Sequence, residues 1–519
     1  MRDIRSKLTR IRSGNPPRVL DLFSGCGGIS LGLKAAGFNP VAGLDADQAA
    51  METWWWNLRK EHAPRLKAIP SLDIRKATAE KFFSSIGQAG QEGDIDVVCG
   101  GPPCQAYSRI GKAKLRSLGG SEAELSDNRG ILYKELLRLV REVRPCVVLV
   151  ENVPDSVNYG GENVPEQICR ELLKLGYQGR WTSLNAADYG VPQYRERVFI
   201  IAVHKFAEAE LAFPNPMYAR PSEQGKGTAL RRRTLEVAAS RGALRHYLAS
   251  PSAEGRLPLA MSAEEALSDL PRIFSAKIGA GSMGPCEDPG QLLPYSSAAP
   301  RTKYQRLMRT WPGFETAGWV SGNVVRNTPR DFPIFARMAE GDKYVQALSI
   351  AEDLFLATCS AEQERLARKL LPHEEKSLRS KIVPPYDPDK FQEKWQKLRR
   401  DWPSHTVTAH LQNDTYSHIH YESAQARGIT VREAARLQSF PDGFRFMRNM
   451  KEAFSQVGNA VPPLLAVALG DSILSMLGAR AGSGLSTAKV SVLQTLRYGD
   501  EHESGPDALS AGSARIGRA

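Results

Sequence analysis

The sequence predicts an open α/β fold, a mostly parallel sheet with helices on both faces, joined to a smaller and less regular region. Short apolar runs of strand length alternate with helical apolar patterns as far as His204. Several strand-like runs lead directly into Gly, Pro or an acid, which places reactive side chains at the carboxyl edge of a sheet. The alternation then stops, and a helical pattern resumes only at Val431.

The elements follow in order. Residues 17–23 (PRVLDLF) read as a buried strand. Ser24-Gly25-Cys26-Gly27-Gly28 comes next, then a helical pattern over 29–36, with Gly37 where a helix C-cap belongs. Residues 40–45 (PVAGLD) form a strand ending in an acid, and Asp47 caps a helix reaching Trp56. Residues 94–99 (DIDVVC) make a strand that runs into Gly100-Gly101-Pro102-Pro103. A helix over 131–143 precedes a strand at 145–150 ending at Glu151; a helix over 164–175 and a last strand at 197–203 (RVFIIAV) complete the alternation.

Five segments are expected. Residues 1–14 are a basic extension and 15–204 the main α/β unit; 205–425 form an irregular second domain rich in Pro, Gly and Arg. Residues 426–477 are helical, and 478–519, rich in Gly, Ser and Ala, form a flexible tail. No internal repeat is present.

Composition excludes several classes. With 42% hydrophobic and 24% charged residues the chain is globular rather than disordered. No run of 18 apolar residues suggests a membrane span, and the basic N-terminus lacks the apolar stretch of a secretory signal. Seven cysteines make no disulfide framework, and none has zinc-site spacing, so no metal is expected. A reduced, soluble, cytoplasmic protein is the expectation. The net charge of +12 biases it toward polyanions.

The candidate chemistry lies at strand ends. Glycines after the first strand allow a tight turn and close backbone approach to a ligand. Asp45, about 20 residues on, suits ribose hydroxyls, and Asp73 suits an adenine amine or a helix cap. Pro102-Pro103 presents Cys104 on a rigid turn, unlike Cys99 or Cys26, which read as packing residues. Glu151 projects onto the same sheet edge as Cys104, an acid beside a nucleophile. Arg195 and Arg197, two apart in a strand, share a face and suit a carbonyl or phosphate.

DLFSGCGG, DIDVVCGGPPCQAYS, ENV, QYRERVFIIAV, RLQSFPDGF (436–444) and QVGNAVPP (456–463) appear together and in this order. The chain resembles a DNA (cytosine-5-)-methyltransferase of the bacterial modification type over 17–204 and 405–477; residues 205–404 match nothing in that pattern. The resemblance implies a Rossmann-like, S-adenosylmethionine-dependent methyltransferase sheet with a target-recognition domain at 205–425, completed by 426–477. It implies that Cys104 attacks C6 of a flipped-out cytosine, that Glu151 holds N3 and the amine, and that Arg195 and Arg197 sit over the base. Phe23, Ser24, Gly25, Gly27, Asp45, Ala46, Asp73, Ile74, Gly101, Pro102, Asn459 and Val461 would form the cofactor pocket. Asp45 stands where the family usually has Glu, and Tyr107 where it more often has Phe.

Candidate DNA contacts are Gln105, Ser108, the run Arg231-Arg232-Arg233, Thr406 and Thr408, with His410 and the 412–418 stretch (QNDTYSH) either reading bases or packing the small domain. The implied partner is double-stranded DNA, bound by a monomer, with a cognate restriction endonuclease or defence-system proteins as companions and no membrane. A tRNA cytosine-5 methyltransferase, or a catalytically silent DNA-binding regulator on the same scaffold, is the alternative. Neither the target sequence nor the roles of 205–404 and the tail follow from the sequence.

Overall fold

The computed structural model describes residues 3–59, 69–103, 132–158, 161–221, 235–236, 238–239, 242, 244–252, 255–275, 288–389, 394–479 and 492. Strands β1 (Arg18–Leu22), β2 (Asn39–Leu44), β3 (Val97–Gly100), β4 (Val147–Asn152), β5 (Tyr177–Asn185) and β6 (Glu196–His204) form one sheet in the order β2-β1-β3-β4-β6-β5. Strands β1 to β4 pair in parallel, whereas β6 pairs antiparallel with both β4 and β5. The mostly parallel sheet expected from the sequence is present.

The reversed direction of β6 positions the site. Its first residues lie at the edge where β1 to β4 end, and Asn152 pairs with Val198. Side chains from strand ends and from a strand beginning therefore converge.

Helices α1 (Ile4–Arg12), α2 (Gly28–Ala35), α3 (Gln48–Leu58), α4 (Ala79–Ser85), α5 (Tyr133–Val143) and α6 (Val164–Lys174) accompany the sheet. Asp47 caps α3 as expected, accepting from the Ala49 and Ala50 amides. The basic segment 1–14 carries α1, which packs into the main core. Ile4, Leu8 and Ile11, spaced at i, i+4 and i+7, are buried, and so is Lys7. The Lys7 ammonium donates to Ile95 O at 2.7 Å and Arg144 O at 2.9 Å, which satisfies the buried charge. Strand β5 was also missed. It alternates buried Tyr177, Gly179 and Trp181 with exposed Gln178 and Arg180, a period of 2 masked by its polar residues.

The region after His204 holds more regular structure than its composition suggests. It contains α7 (Ala263–Leu267), α8 (Lys303–Thr310), α9 (Phe332–Arg337), the 23-residue α10 (Tyr344–Leu366), α11 (Pro372–Ile382) and a short ribbon, β7 (Leu293–Pro294) with β8 (Trp319–Val320). A separate apolar cluster built on Phe335, Tyr344 and Trp395 anchors α10, and Tyr416 stacks on Trp395 at 4.8 Å.

Helices α12 (Val431–Leu437), α13 (Met450–Asn459) and α14 (Pro463–Met476) return to the sheet. Helix α14 runs so close to α2 that a Cβ on Gly28 would lie 2.2 Å from Val461 O, and one on Gly32 2.3 Å from Pro463 O. Residues 450–476 are apolar and long enough to cross a bilayer, but 83% of their most apolar 18-residue window is buried within the fold, and Pro462-Pro463 breaks the stretch. In the segment expected as a flexible tail, Val492 is fully buried in the main core.

Candidate active site

A cavity of about 590 Å³ opens at the carboxyl edge of the sheet. Its floor is the turn after β1. Phe23 and Gly25 both have positive φ, 55° and 52°, and a Cβ on Gly25 would meet nothing within 4 Å. The turn therefore leaves a cradle that a side chain would fill. Asp45, at the end of β2, accepts from the Gly25 amide at 2.9 Å and the Asp47 amide at 2.8 Å. Burial raises its pKa against the pull of these amides. Beneath the turn Asp21 accepts from Ser30 Oγ at 2.6 Å, and burial pushes its carboxyl up to about 7.

Opposite, Glu151 pairs with Arg197, Oε1 to Nε at 2.9 Å. A Cβ on Gly101 would lie 2.9 Å from Glu151 Oε2, so the glycine lets the carboxylate face the cavity. Arg195 also lines it but is 1% exposed, and its guanidinium donates to Val407 O at 2.7 Å and Gly458 O at 3.0 Å. The two arginines thus differ: Arg197 is tied to the carboxylate, whereas Arg195 clamps two main-chain segments.

Phe23, Ser24, Gly25, Asp45, Ala46, Asp73, Ile74, Gly101, Pro102, Glu151, Arg195, Arg197, Asn459 and Val461 all line this one cavity. Asp73 takes the cap role and also lines the cavity. It caps a short turn through the Arg75 amide, and its hydrogen bond to the Arg75 side chain holds its pKa down. Gly27 is not in the lining; its φ of 97° makes the turn, and a Cβ there would strike Leu58 and Trp54. Asp47 and Gly28, read from the sequence only as a helix cap and as part of the glycine turn, also line the wall, as do Arg75 and Gln456. Gln456 sits in QVGNAVPP, so its signal was present.

Pro103 lines the cavity, and Cys104 follows it. Cys104, Gln105, Ser108 and Arg231 to Arg233 lie outside the described residues. Thr406 and Thr408 are not in the lining; Thr406 Oγ1 donates to Tyr194 O at 2.7 Å. Much of 412–418 packs the small region: Tyr416 Oη donates to Asp331 at 2.7 Å, and Thr415 and His418 are buried. Among the described residues no group of three or more His, Cys, Asp or Glu could hold a metal ion.

The sequence pattern of the C-5 cytosine-specific DNA methylase family matches residues 17–253 and 342–475, most of the chain. The chain belongs to this family. It is accordingly a DNA cytosine-5 methyltransferase. The methylase is 40% identical over 460 residues to a protein named as a type II methyltransferase, M.OihORF3336P of Oceanobacillus iheyensis, covering 88% of this chain and 95% of that one. It is 31% identical to the type II methyltransferase M.AgeI of Thalassovita gelatinovora, over 88% of this chain and 99% of that one. A crystal structure titled as a prophage-encoded DNA modification methyltransferase from E. coli shares the fold. Its TM-score is 0.56 at 22% identity, over 89% of this chain and 99% of that one.

Proposed function

We propose that the methylase transfers a methyl group from S-adenosylmethionine to C5 of a flipped-out cytosine in a specific double-stranded DNA sequence, through a Cys104–C6 adduct. One observation carries this reading: the cofactor-type turn with Asp45 and the base-type pair Glu151–Arg197 share one cavity, with Pro103 at its edge.

The residues fit the cofactor. The Gly25 cradle leaves room for it, Asp45 offers oxygens to a ribose, Asp73 and Ile74 face an adenine, and Asn459 and Val461 close the wall. When bound, S-adenosylmethionine supplies a methyl group on a positively charged sulfur. Carbon C5 of cytosine is a weak nucleophile. The Cys104 thiolate forms a bond to C6 while Glu151 delivers a proton to N3, and the electron pair moved onto C5 makes it reactive. Once C5 carries the methyl group, loss of the C5 proton to a base expels the thiolate, and return of the N3 proton to Glu151 restores the neutral ring. Covalent catalysis replaces one difficult step with two easier ones. Arg197 holds the Glu151 carboxylate in place and faces the base. Extruding the base costs a few kcal/mol, offset by phosphate contacts from the basic surface.

Residues 205–425 read the target, with Thr406 and Thr408 at the junction, and 426–477 complete the catalytic domain. Packing of α14 on α2 supports that division. The protein acts as a cytoplasmic monomer on DNA, in restriction-modification, phage defence or epigenetic marking, with a cognate endonuclease or defence proteins as companions.

Bisulfite sequencing of DNA from cells expressing the chain tests the reading. Protected cytosines should fall at one short sequence context. Grafting a relative's segment in place of 205–404 should change that context and leave C5 as the methylated atom. An active graft with the original context would overturn the assignment of the reading region.

A further inference from the structure

Two buried amides link the start of β6, the 404–409 segment and the cavity wall. Gln193 and Gln438 are both fully buried. Gln438 Nε2 donates to Ala460 O at 2.6 Å and to Val457 O at 3.1 Å. Carbonyls only accept, so the Gln438 oxygen must turn the other way. There it accepts from Gln193 Nε2 at 2.5 Å, and the same nitrogen donates to Leu437 O at 3.0 Å. The Gln193 oxygen is then left to accept the Val407 amide at 2.9 Å. Each amide fixes its neighbour's orientation, because turning either would set acceptor against acceptor or donor against donor in a dry interior.

This directional chain joins Val407 to residues 457–460. Arg195 spans the same two segments by a second route, through Val407 O and Gly458 O. The backbones approach so closely that a Cβ on Gly458 would lie 2.1 Å from the Thr408 carbonyl carbon. Asn459, Ala460 and Val461 continue from there into the cavity wall, and Arg195 and Arg197 line the same cavity.

We propose that the Gln193–Gln438 pair is a positioning device that sets the register between the β6 start, which carries Arg197 toward the base, and the wall facing the cofactor. The proposal rests on the reading of the cavity as the joint cofactor and cytosine site. Transfer needs the two reactants aligned at near-contact distance, and a displacement of about 1 Å can cost about 100-fold in rate. Binding of each reactant alone tolerates such a shift. Loss of the pair should therefore depress kcat well beyond its effect on either affinity.

The test uses the full chain with Gln438→Met, Gln193→Met and Gln193→Glu. The measurements are kcat and KM on methylatable DNA, S-adenosylhomocysteine affinity by calorimetry, and the thermal midpoint. Both Met variants, which keep the volume and lose the hydrogen bonds, should retain cofactor affinity within about 3-fold and lose about 10- to 100-fold in kcat. Gln193→Glu separates positioning from packing. Its ionised carboxylate cannot donate to Leu437 O or to the Gln438 oxygen, whereas the protonated carboxyl can donate one hydrogen bond. Its rate relative to wild type at the same pH should rise as pH falls. A relative rate that stays flat with pH, or Met variants with unchanged kcat, overturns the proposal. Equal losses of kcat and cofactor affinity also overturn it, because they describe general damage. A wild type that binds no S-adenosylhomocysteine removes the proposal together with the reading of the cavity.

Discussion

The edge of the sheet and the junction beneath the small region use charge in opposite ways. At the sheet edge, charged groups remain partly open to the cavity: Arg197 is 14% and Glu151 13% exposed. At the junction, Arg436, Asp269 and Asp442 have no exposure at all, and Arg309 and Tyr295 join them. Arg427, Glu433 and His420 form a second sealed set. Glu151 and Arg197 are left reachable, whereas junction charges are saturated by one another. Removing a group from the first set should cost chemistry or binding, and removing one from the second should cost stability.

The largest expected effect is at Cys104. Cys104→Ser should abolish methyl transfer and adduct formation with a 5-fluorocytosine duplex, while S-adenosylhomocysteine still binds. A denaturation-resistant adduct from the Ser variant would remove Cys104 from the mechanism. Next comes Asp269→Asn. It leaves Arg436 and Arg309 buried with one carboxylate fewer, and breaking a buried pair in this way costs about 3–5 kcal/mol. A urea midpoint equal to wild type would erase the distinction between the two regions.

The junction should also show a pH signature. Burial pushes the His420 imidazole down to about 4, despite Glu433 3.4 Å away. Between 6.5, the ordinary value, and about 4, the unfolded chain takes up this proton before the folded one does. Stability therefore falls as pH falls through that window, by about 3 kcal/mol from linkage. Denaturation curves across pH 4–7 check this, and His420→Gln should flatten the slope. The neighbouring Glu433 responds lower: burial alone would raise it, but Arg427 and His420 bring it down to about 2. Its contribution is present above the ordinary carboxylate range and is lost as pH falls toward 2.

Smaller effects sharpen the contrast. Asp45→Ala should weaken S-adenosylhomocysteine binding by about 1.5–3 kcal/mol, the usual worth of a hydrogen bond to a charged group. Calorimetry with unchanged affinity would move the ribose elsewhere. Smallest of all is Arg368→Ala, which removes an exposed pair with Glu374 at 2.8 Å. Such pairs are screened by water and salt, so the urea midpoint should not move.

Much of the α/β sheet unit was legible because its signals are local. Strand-length apolar runs, a glycine turn and the acids at strand ends each declare themselves within a few residues, and β1 to β4 appear where those signals placed them. Strand β5 escaped because an edge strand with one polar face carries a weaker pattern. Helix α1 escaped because its buried Lys7 reads as surface until Ile95 and Arg144 supply carbonyls from far along the chain. Helix α10 escaped because its cluster needs Trp395 and Ile419 from beyond the helix itself.

By itself, then, the sequence determined the order of elements and the chemical types at the sheet edge. Those follow from short-range periodicity and from residues that only a few chemistries require. Tertiary structure alone decided three further things: the reversed β6 that brings Arg197 to Glu151, the different role of Arg195 two residues earlier, and the orientation of Gln193 and Gln438. Each depends on which carbonyls and carboxylates other segments bring: Glu151, Val407 and Gln438 arrive from more than 40 residues away, whereas the carbonyls that orient Gln438 lie 19 and 22 residues on. A hydrogen bond's partner is fixed only when the backbone that carries it is in place.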